Sequence, residues 1–291
     1  MFMGNDKINK RGIIYIILAT LGFSLIPILA QIGLSPNLTA ATLLFYRFFI
    51  AAILFLVYCI ITKKKIMLEN KQQYLCVGIA GGIYSVQCIF FFSSFNYVSS
   101  SIGEIIYHCY PLFVLILAYI FLKEPITRNK ILGVILSVVG VCIVLYAPWD
   151  SAQMRGIIYV IITAFVSSIY MIYTKKKVSE IDTTILTMYL CMVCSIVYLA
   201  YSLVQGEFTL LYTKEIVLNV CILAVCSTVV GFFCFMKAIS LLSVGQVSIL
   251  SLLEPVFTII IAYFMLGVGL SMLQIIGTII ILVAIYIYDR T

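Results

Sequence analysis

Charge is what this sequence has least of. Lysine, arginine, aspartate and glutamate make up 10% of its 291 residues, against about a quarter in ordinary soluble domains. It has one histidine and one tryptophan, and no glycine-rich run of the P-loop pattern, which argues against an intrinsic ATP-driven pump. The residues are 64% hydrophobic and the mean hydropathy is +1.20. A chain of 32.6 kDa has too little interior to hide that much apolar mass from water. A cytosolic enzyme, a secreted disulfide scaffold and a nucleic-acid-binding domain are therefore excluded. What is there instead is one apolar run after another, the composition of a polytopic membrane protein.

Ten runs can be marked, at 13–32, 40–61, 74–96, 102–122, 131–146, 157–173, 183–204, 216–236, 246–266 and 271–288. Spans of about 20 residues would take roughly 200 of the chain and leave about 90 for ends and loops. The basic residues sort by side under this division. Lys7, Lys10, Arg11, Lys63, Lys64, Lys65, Lys71, Lys123, Arg128, Lys130, Lys175, Lys176, Lys177, Lys237 and Arg290 fall on one side, Arg155 and Lys214 on the other, and Arg47 within a run. The positive-inside rule then expects both termini in the cytoplasm of a protein integral to the cell membrane. No A-x-A-like cleavage site follows the basic N-terminus, so no removable signal peptide is expected.

All ten cysteines lie in apolar runs. Cys191 and Cys194 form a C-x-x-C without a second pair or a flanking histidine, which reads as interhelical packing rather than zinc or redox chemistry. The sequence calls for no cofactor and no metal. Asn37-Leu38-Thr39 is a sequon in an outside loop.

The chain repeats itself. A shift of 144 positions lays Arg11-Gly12-Ile13-Ile14-Tyr15 on Arg155-Gly156-Ile157-Ile158-Tyr159, and pairs Ser24 with Ser168, Pro111 with Pro255, and Gly133 with Gly277, without a gap. Two halves follow, 1–147 and 148–291, with five spans each. An odd number of spans inserts the second half from the opposite side. The expected fold is all-α, ten transmembrane helices as two inverted five-helix repeats, an arrangement in which substrate binds near midplane at the repeat interface. A chain holding both halves needs no partner to form the pathway, so a monomer suffices.

Phe121-Leu122-Lys123-Glu124-Pro125 after the fourth run, Leu253-Glu254-Pro255-Val256-Phe257 in the ninth, Tyr46-Arg47-Phe48 in the second and Ser99-Ser100-Ser101 before the fourth resemble the EamA-type drug/metabolite transporters over essentially the whole chain. That resemblance implies transport of a small metabolite such as an amino acid, an amine or a nucleoside. One departure stands out: where relatives often carry a second glutamate matching Glu124, this chain reads Leu266-Gly267-Val268.

Ionisable residues at bilayer depth cost at least about 2.5–3.5 kcal/mol, so they persist where they have a partner, water or a task. Here they are Arg47, Glu104, His108 and Glu254, with Lys237 at the mouth of the eighth run. Glu104, Tyr107, His108 and Pro111 share one helical face, with His108 and Pro111 roughly 10–15 Å deep. Pro27, Pro111 and Pro255 mark helix breaks. Pro111 should free the carbonyl of Tyr107, and Pro255 that of Ser251, beside a central cavity. Polar stripes run through Tyr84, Gln87, Phe91 and Ser94, through Thr163, Ser167, Tyr170 and Thr174, and through Ser251, Glu254 and Thr258.

The substrate-binding candidates are Tyr84, Gln87, Tyr107, His108, Tyr170, Ser251 and Glu254, with His108 and Glu254 as carriers of a coupling proton. Bland readings stand beside these. Glu254 can serve folding or the transport cycle, Arg47 can be a structural interhelical partner, Phe90-Phe91-Phe92 can be packing, and His108 can be a satisfied interhelical donor. The function expected is export of an amino acid or related amine by alternating access, with the lipid bilayer as surroundings and no nucleic-acid partner. A flippase for a lipid-linked headgroup keeps the fold and changes the cargo. A membrane-embedded transferase would need an acid–histidine pair in the outside loops, whose only acids are Asp150, Glu207 and Glu215.

Overall fold

The computed structural model describes residues 9–33, 38–98, 100–144, 151–210, 213–266 and 272–289. The sequon's Asn37, the lone Trp149, Asp150 and the Gly267-Val268 turn lie outside them. Among the described residues the regular structure is helical. In chain order it comprises α1 (Lys10–Phe23), α2 (Ile26–Gly33), α3 (Ala40–Ile61), α4 (Lys71–Ser94), α5 (Ser100–Tyr107), α6 (Tyr110–Leu122) and α7 (Arg128–Val144). Then follow α8 (Ser151–Lys177), α9 (Thr183–Val204), α10 (Lys214–Ile222), a π-helical stretch (Leu223–Phe232), α11 (Phe233–Leu241), α12 (Val244–Leu250), α13 (Leu253–Leu266) and α14 (Met272–Asp289).

Six helical stretches are long and apolar enough to cross a membrane: Lys10–Ala30, Ala40–Ile61, Lys71–Ser94, Gln153–Lys177, Thr183–Val204 and Lys214–Leu241. Tyr110–Leu122, Val244–Thr258 and Ile275–Tyr288 are apolar but shorter. The difference from an even row of spans has a local cause. The runs 102–122 and 246–266 are each two helices, α5–α6 and α12–α13, and the first run is likewise split between Phe23 and Ile26. A proline sits in the first turn after each break (Pro27, Pro111, Pro255), where its missing N–H is harmless and its fixed φ suits a helix start.

The burial pattern inverts that of a soluble protein. Large apolar side chains such as Val204 (85% exposed), Phe264 (79%) and Ile61 (74%) point outward. Arg47, Glu104, His108, Glu254 and many Ser and Thr side chains are buried inside. Helix hydroxyls satisfy themselves on carbonyls three or four residues back, as Ser85 does on Gly81 and Thr187 on Thr183 (both 2.7 Å). Cys191 and Cys194 are free buried thiols, and Cys194 Sγ approaches the Gly81 carbonyl at 3.7 Å.

Helices pack across the two halves. α3 lies on α9, α7 on α14, α4 on α8, and α1 on α11 and the π-helical stretch. Element ends run close to the sequence offset: Ala40 and Thr183 open α3 and α9, Lys71 and Lys214 open α4 and α10, and Tyr110 and Leu253 open α6 and α13. Each pair stands 143 positions apart. Beyond the apolar zone, Lys64 Nζ meets Asp182 at 3.0 Å, while Asp182 caps α9 through the amides of Thr184 and Ile185. Burial raises the Asp182 carboxyl, but the Lys64 hydrogen bond and the two amides outweigh it and hold the group below its ordinary value.

The α1 contact depends on glycine. A Cβ on Gly22 would stand 2.6 Å from the Cys226 carbonyl oxygen and 3.0 Å from the Gly231 Cα, both rigid backbone. Such close backbone approach is how membrane helices associate without a hydrophobic drive. Gly22→Val should therefore push α1 off the π-helical stretch and lower the melting temperature in detergent by about 2–10 °C; an unchanged melt would show that the contact is slack.

Candidate functional site

The two broken helix pairs meet through α6 and α12. α5 ends at Tyr107 and α6 resumes at Tyr110; α12 ends at Leu250 and α13 resumes at Leu253. Tyr110 Oη donates to the Ser248 carbonyl at 3.2 Å, tying one break to the other. The carbonyl of Tyr110 in turn accepts from Ser168 Oγ at 3.2 Å. One expectation is corrected here. Pro255 does not leave the Ser251 carbonyl free, because the chain tightens at the break and Ser251 O accepts the Glu254 N–H at 2.9 Å. The interior is polar through side chains at this point, not through that orphan carbonyl.

Beside the breaks is a cavity of about 60 Å³, space for a few waters or a small ligand. Tyr84, Gln87, Tyr107, Tyr170, Ser251 and Glu254 all line it. Tyr107 Oη shares a hydrogen bond with Ser167 Oγ (2.9 Å) and receives one from Gln87 Nε2 (3.5 Å). Gln87 Oε1 is buried without a partner. Tyr170 Oη donates to Met236 Sδ at 3.3 Å, and Ser251 Oγ to the Val247 carbonyl at 2.8 Å.

His108 is placed differently from the other candidates. It is fully buried and is not part of the cavity wall, standing behind Glu104 and Glu254. Its Nδ1 lies 2.7 Å from the Glu104 carbonyl oxygen. A carbonyl can only accept, so Nδ1 carries a hydrogen. Nε2 then faces Glu254 Oε2 at 3.7 Å and has no hydrogen-bond partner. Glu104 Oε1 is likewise buried and unpartnered, 3.8 Å from Nδ1. The imidazole thus stands between the two carboxyls, 3.8 Å from Glu104 Oε1 and 3.7 Å from Glu254 Oε2.

One ligand atom from each of the three lies within 4.8 Å of the others. That is wider than the roughly 3.4 Å between ligands of a tetrahedral ion with bonds of about 2.1 Å. The geometry is that of a loosely coupled acid–imidazole cluster.

The lining extends beyond the substrate-binding candidates of the sequence. Glu104 and Arg47 reach the cavity, as do Tyr110, Phe91, Phe92, Phe23 and Phe235. Phe91 was readable from the stripe of Tyr84 and Gln87; Tyr110 beside Pro111 and Phe235 on α11 carry no such signal. Phe90 turns away from this wall onto Tyr159, with ring centroids 5.4 Å apart. Of the stripe on α8, Ser167 lines the cavity, whereas Thr163 bonds the Tyr159 carbonyl in its own helix (2.9 Å). A second cavity of about 380 Å³ between α6 and α8 is apolar apart from Lys176 and Lys177 at its rim, so it offers packing for an acyl chain and no convergent polar groups.

The sequence pattern of the EamA-like transporter family matches residues 10–146 and, a second time, 154–288. The chain belongs to the EamA-like transporter family. Among similar EamA-like proteins is an uncharacterized transporter of Archaeoglobus fulgidus, 28% identical over 244 residues that cover 84% of this chain and 86% of the relative. Another, from Bacillus subtilis, is 26% identical over 261 residues (86% and 83%). One from Clostridium kluyveri is 25% identical over 287 residues (94% and 91%). A protein crystal structure superposes with a TM-score of 0.81 at 14% identity, covering 96% of this chain and 97% of that one, which shows a shared fold. These relatives are named as transporters, not as enzymes, and this EamA-like chain, with six apolar helices of spanning length, is an integral membrane transporter.

Proposed function

We propose that the protein is a secondary transporter that moves a small polar metabolite, an amino acid or a related amine, out across the cell membrane by alternating access. The observation that carries this reading is the buried Glu104–His108–Glu254 cluster beside an interior cavity next to two helix breaks. Interior ionisable groups of that kind mark substrate and proton pathways.

In this reading the chain spans the bilayer ten times, as halves 1–147 and 148–291, with both termini cytoplasmic. The doubled family match and the shared offset of helix ends support two copies of one unit. Five spans per copy make them inverted, and two oppositely inserted copies can exchange conformations at similar energy. One chain forms the whole pathway. Tyr84, Gln87, Tyr107, Tyr170, Ser251 and Glu254 hold the substrate. His108 and Glu254 pass a coupling proton, with Glu104 on the adjoining helix, Glu254 from α13 and Tyr107 and Tyr110 as the other titratable groups around the ring.

Purified protein in liposomes, given labelled amino acids and amines with and without an imposed pH gradient, tests this. Saturable, gradient-driven movement is expected of wild type, and His108→Ala should lose the response to the gradient and alter the pH profile. Transport and a pH profile both untouched in His108→Ala would overturn the proton role.

A further inference from the structure

Three side chains of formal charge line the cavity, Glu104, Glu254 and Arg47, and their circumstances differ. The two glutamates have each other and His108. Arg47, on α3, is 1% exposed and has little. Its Nε donates to Thr228 Oγ1 at 2.7 Å, and its Cζ stands 5.0 Å from the Phe48 ring centroid. Its Nη2 is buried with no hydrogen-bond partner. Among the described residues no carboxylate lies within ion-pair distance of the guanidinium.

An arginine kept only to join helices finds its counter-ion inside the protein, because a buried cation without one is costly. Here a carboxylate, Glu254, lines the same cavity and yet makes no ion pair with Arg47. The guanidinium and the two carboxyls thus line one space without pairing. The fork of Arg47 is aimed by a threonine from the π-helical stretch, and its planar geometry suits a carboxylate.

Building on the transport reading above, we propose that Arg47 is the carboxylate-binding group of the site. The ligand then bridges Arg47 and the Glu104–His108–Glu254 cluster, carrying an anionic and a cationic group on one compact frame, as a small α-amino acid does. A simple amine leaves Arg47 unpaired, and a simple carboxylate leaves the glutamates without a cation. A nucleoside has neither charge. Arg47 is thereby the specificity-determining residue between amino acids and their decarboxylated counterparts.

The test is a thermal-shift titration of detergent-purified protein with three matched sets: the L-amino acids, the amines left by their decarboxylation, and their N-acetyl derivatives. Wild type should be stabilised by at least one amino acid, with its amine and its N-acetyl form about ten-fold weaker or worse, since a site built for a charged group rejects the analogue lacking it. Arg47→Gln should bring amino acid and amine within about two-fold of each other by weakening the amino acid alone. Arg47→Lys, with charge but no fork, should fall between.

If Arg47→Gln does not fold, Thr228→Val, which frees the guanidinium from its anchor, should weaken the amino acid and spare the amine. Equal binding of amine and amino acid by wild type, or a preference that survives loss of Arg47, overturns the proposal. Binding by none of the three sets overturns it too. The transport reading fails separately, only if liposomes move no small polar solute at all.

Discussion

Glu254→Gln is expected to abolish transport while leaving a protein that purifies and melts normally. The substitution keeps size and shape, and the packing of α13 against its neighbours does not depend on the charge. What it removes is the acidic oxygen facing His108 Nε2 at 3.7 Å. A cation or proton in a closed, buried site loses its counter-charge, and truncating one member of a buried charged contact costs about 2–5 kcal/mol, a loss of about 30-fold or more in binding. Gln cannot release and rebind a proton, so any cycle that needs one stops. Liposome uptake of wild type and variant, beside a melting curve of each, checks this. Uptake within about two-fold of wild type would remove Glu254 from the transport machinery and return it to a structural part. Glu104→Gln, which leaves Glu254 and His108 facing each other, should retain more activity.

The second large effect is expected at the end of α6. Glu124 Oε1 accepts the Val244 N–H at 2.9 Å, and Oε2 the Gly245 N–H at 3.4 Å. This carboxylate joins the close of α6, in the first half, to the start of α12, in the second. Lys175 Nζ reinforces the same end by donating to the carbonyls of Ile239 and Leu242, both at 2.8 Å. The residue 144 positions on from Glu124 is Val268, whose side chain accepts no hydrogen bond. Under the alternating-access reading proposed above, this carboxylate favours closure at the Glu124 end.

Charge-assisted hydrogen bonds of this sort contribute about 1.5–3 kcal/mol. Glu124→Ala should therefore raise the population open at the Glu124 end by about 10- to 100-fold. Cys88 lines the cavity and serves as the reporter, in a protein whose other cysteines are replaced. A membrane-impermeant thiol reagent added from the Glu124 side should modify Cys88 correspondingly faster in Glu124→Ala. An unchanged rate in a folded variant would mean that the carboxylate only caps α12.

Much of the fold was readable because the bilayer imposes a one-dimensional code. Apolar runs, basic clusters at their ends and a self-match at fixed offset survive projection onto a line, and each helix overlaps one of those runs, although α8 and α11 reach several residues beyond theirs. Helix ends were less legible. The first, fourth and ninth runs are each two helices, since a proline announces a break without saying how the freed carbonyls are taken up. Ser251 shows the consequence: its carbonyl is recaptured by Glu254 N–H, a local tightening that no spacing rule anticipates. For the site, side chains on a polar stripe, such as Tyr84 and Gln87, were legible as cavity-facing. Tyr110 and Phe235 were not, because their neighbours in sequence give no stripe to place them on.

On its own the sequence determined that this chain belongs in a membrane, that it matches itself at an offset of 144 positions, and that a few ionisable groups must lie inside. Hydropathy, charge and repetition are properties of a string, and lipid enforces them locally. Only the tertiary structure decided which of those groups meet. Arg47 reaches Thr228 across 181 residues of chain, and His108 stands behind two glutamates instead of in the cavity wall. Such pairings arise where helices distant in sequence pack side by side, a geometry set by the packing of all the others.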